Sequence, residues 1–190
     1  MFIIKKIMYK DTWFSGVLFF IKHQMVIFER AFKFMYSYVL YCDGSSRGNP
    51  GWSGYSVVVT SENGNSVIDK IISPVFRNDT NDRMELMALR EALKWLKSHN
   101  FISAVIFSDS QMVVDGYNKH LSKWTGSGFL NVKHIEVWKD IAESKQKIGD
   151  KVYVEKIKAH QKRSNWNNEA DRLAKVASSP SNPNKATSKT

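Results

Sequence analysis

The sequence predicts an α/β domain in which a mixed, five-stranded sheet is flanked by helices. Three apolar segments rich in branched and aromatic residues follow one another without a helical pattern between them. Asn63-Gly64 separates the second from the third, and this dipeptide favours the primed turns of antiparallel hairpins. Two later strand-like segments alternate with helical patterns. We therefore expect three antiparallel strands, then two parallel ones.

The predicted elements follow in chain order. The strands cover residues 37–43, 54–60, 66–75, 103–109 and 151–159. The helices cover residues 82–98, 110–120, 132–144 and 167–179, and the first has a stripe of leucines at 86, 89, 93 and 96. Residues 121–132 contain Gly126 and Gly128 and are predicted to form a loop.

The chain of 190 residues is long enough for one domain with a full core. We place this domain at residues 36–178. Residues 179–190 are rich in Ser, Asn, Pro and Lys, and are predicted to be a disordered tail.

Residues 1–35 form an N-terminal extension of unknown role. Its longest uncharged run, residues 12–21, is much shorter than the ~20 residues that cross a bilayer, so we expect no stable membrane association. Three interpretations remain open. The extension lies upstream of a true start at Met25 or Met35, or it is a packed accessory element, or it is a targeting sequence.

The net charge of +10 is spread along the chain. Residues 37–178 hold twenty basic and sixteen acidic side chains, so the domain is only mildly basic. This balance suits a polyanion held outside an acidic centre, although an ordinary solvated surface would give the same balance. The single cysteine, Cys42, rules out an intrachain disulfide and is compatible with a reducing compartment. We expect a cytoplasmic monomer, with organellar targeting as the alternative.

Four carboxylates adjoin apolar segments: Asp43, Glu85, Asp109 and Asp171. An ionised carboxylate is costly to bury unless it is paired or binds a metal. Several at one point would repel each other, and a divalent cation is the simplest compensation. Ligands that are all oxygen favour Mg²⁺ or Mn²⁺ over zinc.

Each carboxylate also has an ordinary structural interpretation. Asp43 and Asp109 end predicted strands, where aspartates commonly occupy turns or helix N-caps. Asp82 and Glu85 have the spacing of a capping box. Asp171, near the start of the last helix, could stabilise the positive helix end. The four together, each beside a core element, favour one shared cluster.

Four segments carry a resemblance to a known family: YCDGSSRGNPGWSGY, TNDRMELMALREAL, FSDSQMVVDGY and KAHQKRSNWNNEADRLA. In this order they resemble the type 1 ribonuclease H family over about residues 36–178. The resemblance implies the ribonuclease H fold. It also implies Mg²⁺-dependent endonucleolytic cleavage of RNA paired with DNA, so that an RNA/DNA hybrid is the expected partner.

The resemblance assigns roles to particular residues. The four metal-binding carboxylates would be Asp43, Glu85, Asp109 and Asp171. His160 matches a mobile histidine that assists proton transfer or product release; without the resemblance it is an ordinary surface histidine. The positions that contact the hybrid would be Asn49, Thr80, Asn81 and Gln111, each of which could equally be a turn or cap residue. Two Mg²⁺ ions, with Mn²⁺ as a possible substitute, would flank the scissile phosphate and give 5′-phosphate and 3′-hydroxyl ends.

Two departures from the family pattern stand out. Many bacterial members carry a long basic, Trp-rich handle after the second helix, whereas the stretch here holds only Trp124 and three lysines, Lys119, Lys123 and Lys133. Asp82 stands where relatives often have a neutral amide. Both features bear on substrate affinity rather than on the chemistry.

Three rival functions are compatible with parts of the pattern. A ribonuclease H domain released from a reverse transcriptase would have a similarly short handle. A catalytically silent nucleic-acid-binding protein would gain nothing from four carboxylates that repel phosphates. A transposase or integrase relative typically has three acids and larger flanking domains.

Overall fold

The computed structural model of the chain describes residues 37–158 and 166–181. The predictions for the extension at residues 1–35, for His160 and for most of the C-terminal tail lie outside these ranges. Within them, no helix has both the length and the apolar character needed to cross a membrane.

The described residues contain one mixed sheet of six strands. The strands are β1 (Tyr38–Gly48), β2 (Gly51–Ser61), β3 (Val67–Ile72), β4 (Phe76–Asp79), β5 (Ala104–Ser108) and β6 (Val152–Lys156). The order is β3-β2-β1-β5-β6, and β4 also pairs with β2. The β1–β2 and β2–β3 pairs are antiparallel, while β1–β5 and β5–β6 are parallel. This confirms the predicted topology.

The sixth strand differs from the prediction, which joined residues 66–75 into one strand. In the structure β3 ends at Ile72, and β4 begins at Phe76. Pro74 lies between them and has no N–H to donate to a ladder, so the strand is interrupted there. Both short strands pair with β2, on successive parts of its length.

Within the described ranges, five α-helices flank this sheet. They are α1 (Asn81–Lys97), α2 (Gln111–Asp115), α3 (Leu121–Gly126), α4 (Ile135–Ile148) and α5 (Trp166–Ala177), and a π-helical turn (Gly116–His120) joins α2 to α3. The predicted helices agree with these elements apart from their ends.

The prediction of a loop over residues 121–132 is wrong at its start, where α3 forms. Leu121 is buried, and the Trp124 ring packs edge-on against Trp138 with 5.0 Å between centroids. The N–H of Phe129 donates to the carbonyl of Trp124 at 2.8 Å, and Gly128 has a positive φ of 67°. Apolar anchors therefore hold a helical turn that the glycines end.

Helices cover both faces of the sheet because side chains alternate along β2. Val57 and Val59 belong to the main core together with the leucine stripe of α1. Val58 points to the opposite face and packs with Ala170 and Leu173 of α5. Period-two alternation with buried residues on both sides is what a central strand requires.

Gly44 allows α1 to lie unusually close to β1. A Cβ atom at this position would lie 2.5 Å from the backbone nitrogen of Glu85 and 2.7 Å from the carbonyl carbon of Met84. These are backbone atoms of a packed helix, so they cannot move aside without shifting α1. Gly44 thereby sets the distance between β1 and the start of α1.

We expect Gly44→Ala to lower the free energy of unfolding by about 2 kcal/mol, because the new methyl group forces α1 away from the sheet. Urea denaturation measures the change. Gly126→Ala is the matched control, since no heavy atom lies within 4 Å of the Cβ it would add. The control should stay within about 0.5 kcal/mol of the parent. Equal stability of both variants would show that α1 is not held by this contact.

Candidate active site

The site begins where β1 and β5 separate. Their parallel pairing ends at Cys42 and Ser108, and the next residues are Asp43 after the β1 pair member and Asp109 after the β5 pair member. Beyond this point β1 continues to Gly48 with β2 as its partner, so a crevice opens on the β5 side. The prediction that Asp43 ends a strand is therefore wrong. Asp43 lies inside β1, at the end of the parallel pairing.

Glu85 reaches this crevice from α1. The N-cap of α1 is Thr80, whose Oγ1 accepts a hydrogen bond from the N–H of Arg83 at 3.3 Å. Glu85 thus lies in the second turn of the helix, and the capping-box interpretation of Asp82 and Glu85 is wrong. The nearby backbone of Gly44 in β1 favours the ionised form of the Glu85 carboxyl and lowers its pKa, against the larger effect of burial.

The three carboxylates converge on one point. Asp43, Glu85 and Asp109 each contribute an oxygen, and these oxygens lie within 4.8 Å of one another. Asp43 is 4% exposed and Glu85 6% exposed, while Asp109 is half-buried. Among the described residues, Oε2 of Glu85 is buried without a hydrogen-bond partner. A buried anionic oxygen that lacks a donor indicates a place for a cation.

Burial and mutual repulsion raise the pKa values of these groups. The pKa of Asp43 is raised to about 8, first by burial and then by the charges of Asp109 and Asp171. The pKa of Glu85 is raised well above its ordinary value, again first by burial and then by Asp43 and Asp109. Without a cation, the cluster therefore retains protons at neutral pH.

Asp171 lies beside this cluster rather than in it. It is half-buried in the second turn of α5, and its Oδ2 lies 2.7 Å from the Nζ of Lys175, one turn later. Its charge still contributes to the raised pKa of Asp43, and Lys175 partly offsets that effect. The structure thus brings three predicted carboxylates together and places the fourth next to them, held by a lysine.

The four predicted hybrid-contacting residues lie at the starts of helices and in the β1–β2 turn. Thr80 caps α1, as its alternative interpretation proposed, and Asn81 is the first residue of that helix. The Oδ1 of Asn49 accepts a hydrogen bond from the N–H of Asn81 at 3.2 Å, which joins the turn to the helix. Gln111 begins α2 and is exposed, directly after the N-cap Ser110.

Lys156 is a site residue that the sequence argument missed. It ends β6 opposite Ser108, and its Nζ donates to the backbone carbonyl of Asp109. Its positive charge lowers the pKa of Glu85. The prediction of two parallel strands could have identified Lys156, because the carboxyl ends of parallel neighbours meet at one edge of the sheet.

The comparisons with known proteins agree with this geometry. The family model described as RNase H matches residues 35–179. The chain belongs to the ribonuclease H family.

Its curated relatives are similar over most of their length. Ribonuclease H of Helicobacter acinonychis (strain Sheeba) is 39% identical over 137 residues, which are 72% of this chain and 90% of the relative. Ribonuclease HI of Helicobacter pylori (strain ATCC 700392 / 26695) is 38% identical over the same shares of the two chains. The protein is accordingly a ribonuclease H enzyme of the type 1 kind.

Solved structures of ribonuclease H domains have the same fold. The solution structure of the PFV RNase H domain gives a TM-score of 0.65 at 27% identity and covers 76% of this chain and 95% of that domain. LC11-RNase H1, crystallised in complex with an RNA/DNA hybrid, gives 0.57 at 26% identity and covers 74% of this chain and 95% of its own.

The raised pKa of Asp43 predicts a pH-dependent stability. A carboxyl with a raised pKa binds its proton more tightly in the folded state, so the free energy of unfolding falls as the pH rises from about 4 to 8. In EDTA, we expect Asp43→Asn to be more stable than the parent by about 3 kcal/mol at pH 8, with little difference at pH 4. Urea denaturation across this pH range measures it.

The matched control is Asp140→Asn, which neutralises an exposed acid of α4. It should show no gain that grows with pH. A difference between Asp43→Asn and the parent that is constant from pH 4 to 8 would contradict the electrostatic account of the site.

Proposed function

We propose that this chain hydrolyses the RNA strand of RNA/DNA hybrids by a two-metal-ion mechanism that leaves 5′-phosphate and 3′-hydroxyl ends. The observation that carries the proposal is the convergence of three carboxylate oxygens within 4.8 Å at the point where β1 and β5 separate. Family membership supports the reaction class. The hybrid bound to LC11-RNase H1 supports the substrate.

The residues of the cluster fit Mg²⁺ or Mn²⁺. Their donors are all carboxylate oxygens, and one of them is buried without a partner among the described residues. Oxygens around a single Mg²⁺ lie at most ~4.2 Å apart, so only a small contraction of the cluster is needed. Asp43, Glu85 and Asp109 would hold the ions, and Asp171 would join them once Lys175 releases it. Bound ions would activate the attacking water and neutralise charge on the scissile phosphate and the departing 3′ oxygen.

The fold holds these ligands before any substrate arrives. Asp43 lies on a central strand, and Gly44 lets the backbone of α1 at Glu85 pack directly against that strand. Rigid placement of this kind reduces the reorganisation needed during the reaction. Without bound ions the cluster offers a phosphate no positive charge, so we expect the unloaded site not to cleave.

Neutral polar residues are proposed to position the hybrid beside the carboxylates. Asn49 and Asn81 are joined by a hydrogen bond and form a continuous polar edge with Thr80. Amides and hydroxyls can hydrogen-bond 2′-hydroxyls and phosphates, and contact with 2′-hydroxyls is what distinguishes RNA from DNA. Gln111 would contact the hybrid from the start of α2. We assign His160 the role of moving a proton at the leaving oxygen or assisting product release, because an imidazole titrates near neutral pH.

The cleavage assay compares a labelled RNA/DNA hybrid with single-stranded RNA, double-stranded RNA and duplex DNA, in Mg²⁺ and in EDTA. We expect only the hybrid to be cut, and only with Mg²⁺. Asp109→Asn should lower the cleavage rate at least ~100-fold, because it removes a ligand on which several kcal/mol of transition-state stabilisation depend.

Asp140→Asn is again the matched control and should cleave at the parent rate. Cleavage of the hybrid that persists in EDTA, or in Asp109→Asn, would refute the proposal. Hybrid binding without any cleavage would identify a silent member of the family.

A further inference from the structure

Two arginines differ from the other described ones in what they contact. Arg83, Arg90 and Arg172 each lie within 4.0 Å of at least one carboxylate oxygen. Within residues 37–158 and 166–181, Arg47 and Arg77 pair with no carboxylate, and both are exposed. Guanidinium groups without an internal anion are available to an external one.

These two arginines lie on either side of Trp52. Arg47 of β1 is directly opposite Trp52 of β2 in the antiparallel ladder, so their side chains share a face. Arg77 of β4 lies over the Trp52 ring, with 4.8 Å between its Cζ and the ring centroid. We call Arg47, Trp52 and Arg77 the arginine–tryptophan patch.

The contact of Arg77 with Trp52 and that of Arg47 with the end of α5 leave guanidinium N–H groups of both arginines free to bind a ligand. An arginine stacked on an aromatic ring keeps its N–H groups in the plane of the guanidinium, where they can bind phosphate with two parallel hydrogen bonds. Arg47 uses Nη2 to donate to the carbonyl of Lys175 at 3.2 Å, near the end of α5. Among the described residues this is the only hydrogen bond that Arg47 makes, so most of its donors are unused there.

The patch is continuous with the proposed active site. Arg47 follows Asp43 by four residues on β1, so both side chains point to the same face, about 13 Å apart along the strand. Asn49, the proposed hybrid contact, lies in the turn between Arg47 and Trp52. Phosphates recur every ~3.4 Å of helix axis along one strand of duplex DNA, so a group this far from the site would meet the backbone several nucleotides away.

We propose that the arginine–tryptophan patch binds the phosphate backbone of the RNA/DNA hybrid several nucleotides from the cleaved bond. The inference rests on the proposed function. It also explains how the chain would bind the hybrid with a short handle. Two residues of the handle stretch are engaged within the fold, since Lys119 is paired with Asp115 at 2.7 Å and Trp124 packs against Trp138. The patch supplies cationic contacts on the other side of the site, where the β1–β2 hairpin ends.

The test measures binding of a labelled 20-base-pair hybrid by fluorescence anisotropy, in Mg²⁺, from about 50 to 200 mM KCl. The Asp109→Asn protein is used so that the hybrid stays intact. Added to this background, Arg47→Ala and Arg77→Ala should each weaken binding about tenfold at low salt. Each should reduce the slope of log Kd against log salt by about one, and the double variant by about two.

Two comparisons separate a phosphate contact from a structural effect. Arg77→Lys keeps the charge but loses the planar fork, so it should keep the salt slope and lose part of the affinity. Lys147→Ala removes one charge from the exposed end of α4 and should leave both quantities unchanged. In the active protein, Arg47→Ala and Arg77→Ala should raise KM and leave kcat unchanged.

An unchanged salt slope and affinity in both arginine variants would refute the proposal that the arginine–tryptophan patch binds the hybrid. This outcome is distinct from failure of the proposed function. If the parent cleaves the hybrid with Mg²⁺ and the arginine variants bind it normally, only the patch is refuted. If the parent does not cleave, the proposed function is refuted.

Discussion

The constraint that the rest of the fold accommodates is a crowding of carboxylates at the carboxyl end of the parallel β1–β5 pair. Asp43, Glu85 and Asp109 bring three carboxylate oxygens within 4.8 Å, two of them on side chains that are almost wholly buried. In a metal-free protein this arrangement opposes folding, and the pKa of Asp43, raised to about 8, reflects that cost. Natural proteins concentrate such destabilising groups at functional sites.

The rest of the fold holds this crowding in place. The β1–β5 pairing ends one residue before each aspartate, so the two carboxylates leave the sheet at the same level. Gly44 permits the close approach of α1 that delivers Glu85. Two lysines contact the acidic residues: Lys156 donates to the backbone carbonyl of Asp109, and Lys175 pairs with Asp171. These lysines supply the partial compensation that is available without a metal.

Much of this arrangement could be predicted from the sequence, because the signals were local. Strand alternation and turn residues predicted three antiparallel strands followed by two parallel ones, and the position of each acid beside an apolar segment predicted the cluster. The predictions were wrong where contacts between distant parts of the chain determine where a strand or helix ends or forms. The end of β1 could not be located because β2 continues to pair with it as far as Gly48, beyond the end of β5. The helical turn of α3 depends on Trp124 reaching Trp138 across the chain.

The ion pairs could not be predicted from the sequence either, because the positions of charged residues along the chain do not show which side chains meet. Arg83 pairs with Asp79 and Glu136, whereas Arg77 lies over the Trp52 ring and has no carboxylate partner in the described part of the chain. That difference separates arginines paired with carboxylates inside the fold from arginines whose guanidinium is open to an external anion. It arises from the register of β4 against β2, which the sequence did not reveal.

The proposed function depends on a metal ion held by the three converging carboxylates. Anomalous diffraction from crystals soaked in Mn²⁺ locates such an ion without reference to activity. We expect an anomalous peak in contact with oxygens of Asp43, Glu85 and Asp109, absent from crystals of Asp43→Asn prepared in the same way. No peak at these residues at a saturating Mn²⁺ concentration, or an unchanged peak in the variant, would show that these carboxylates do not form a metal site.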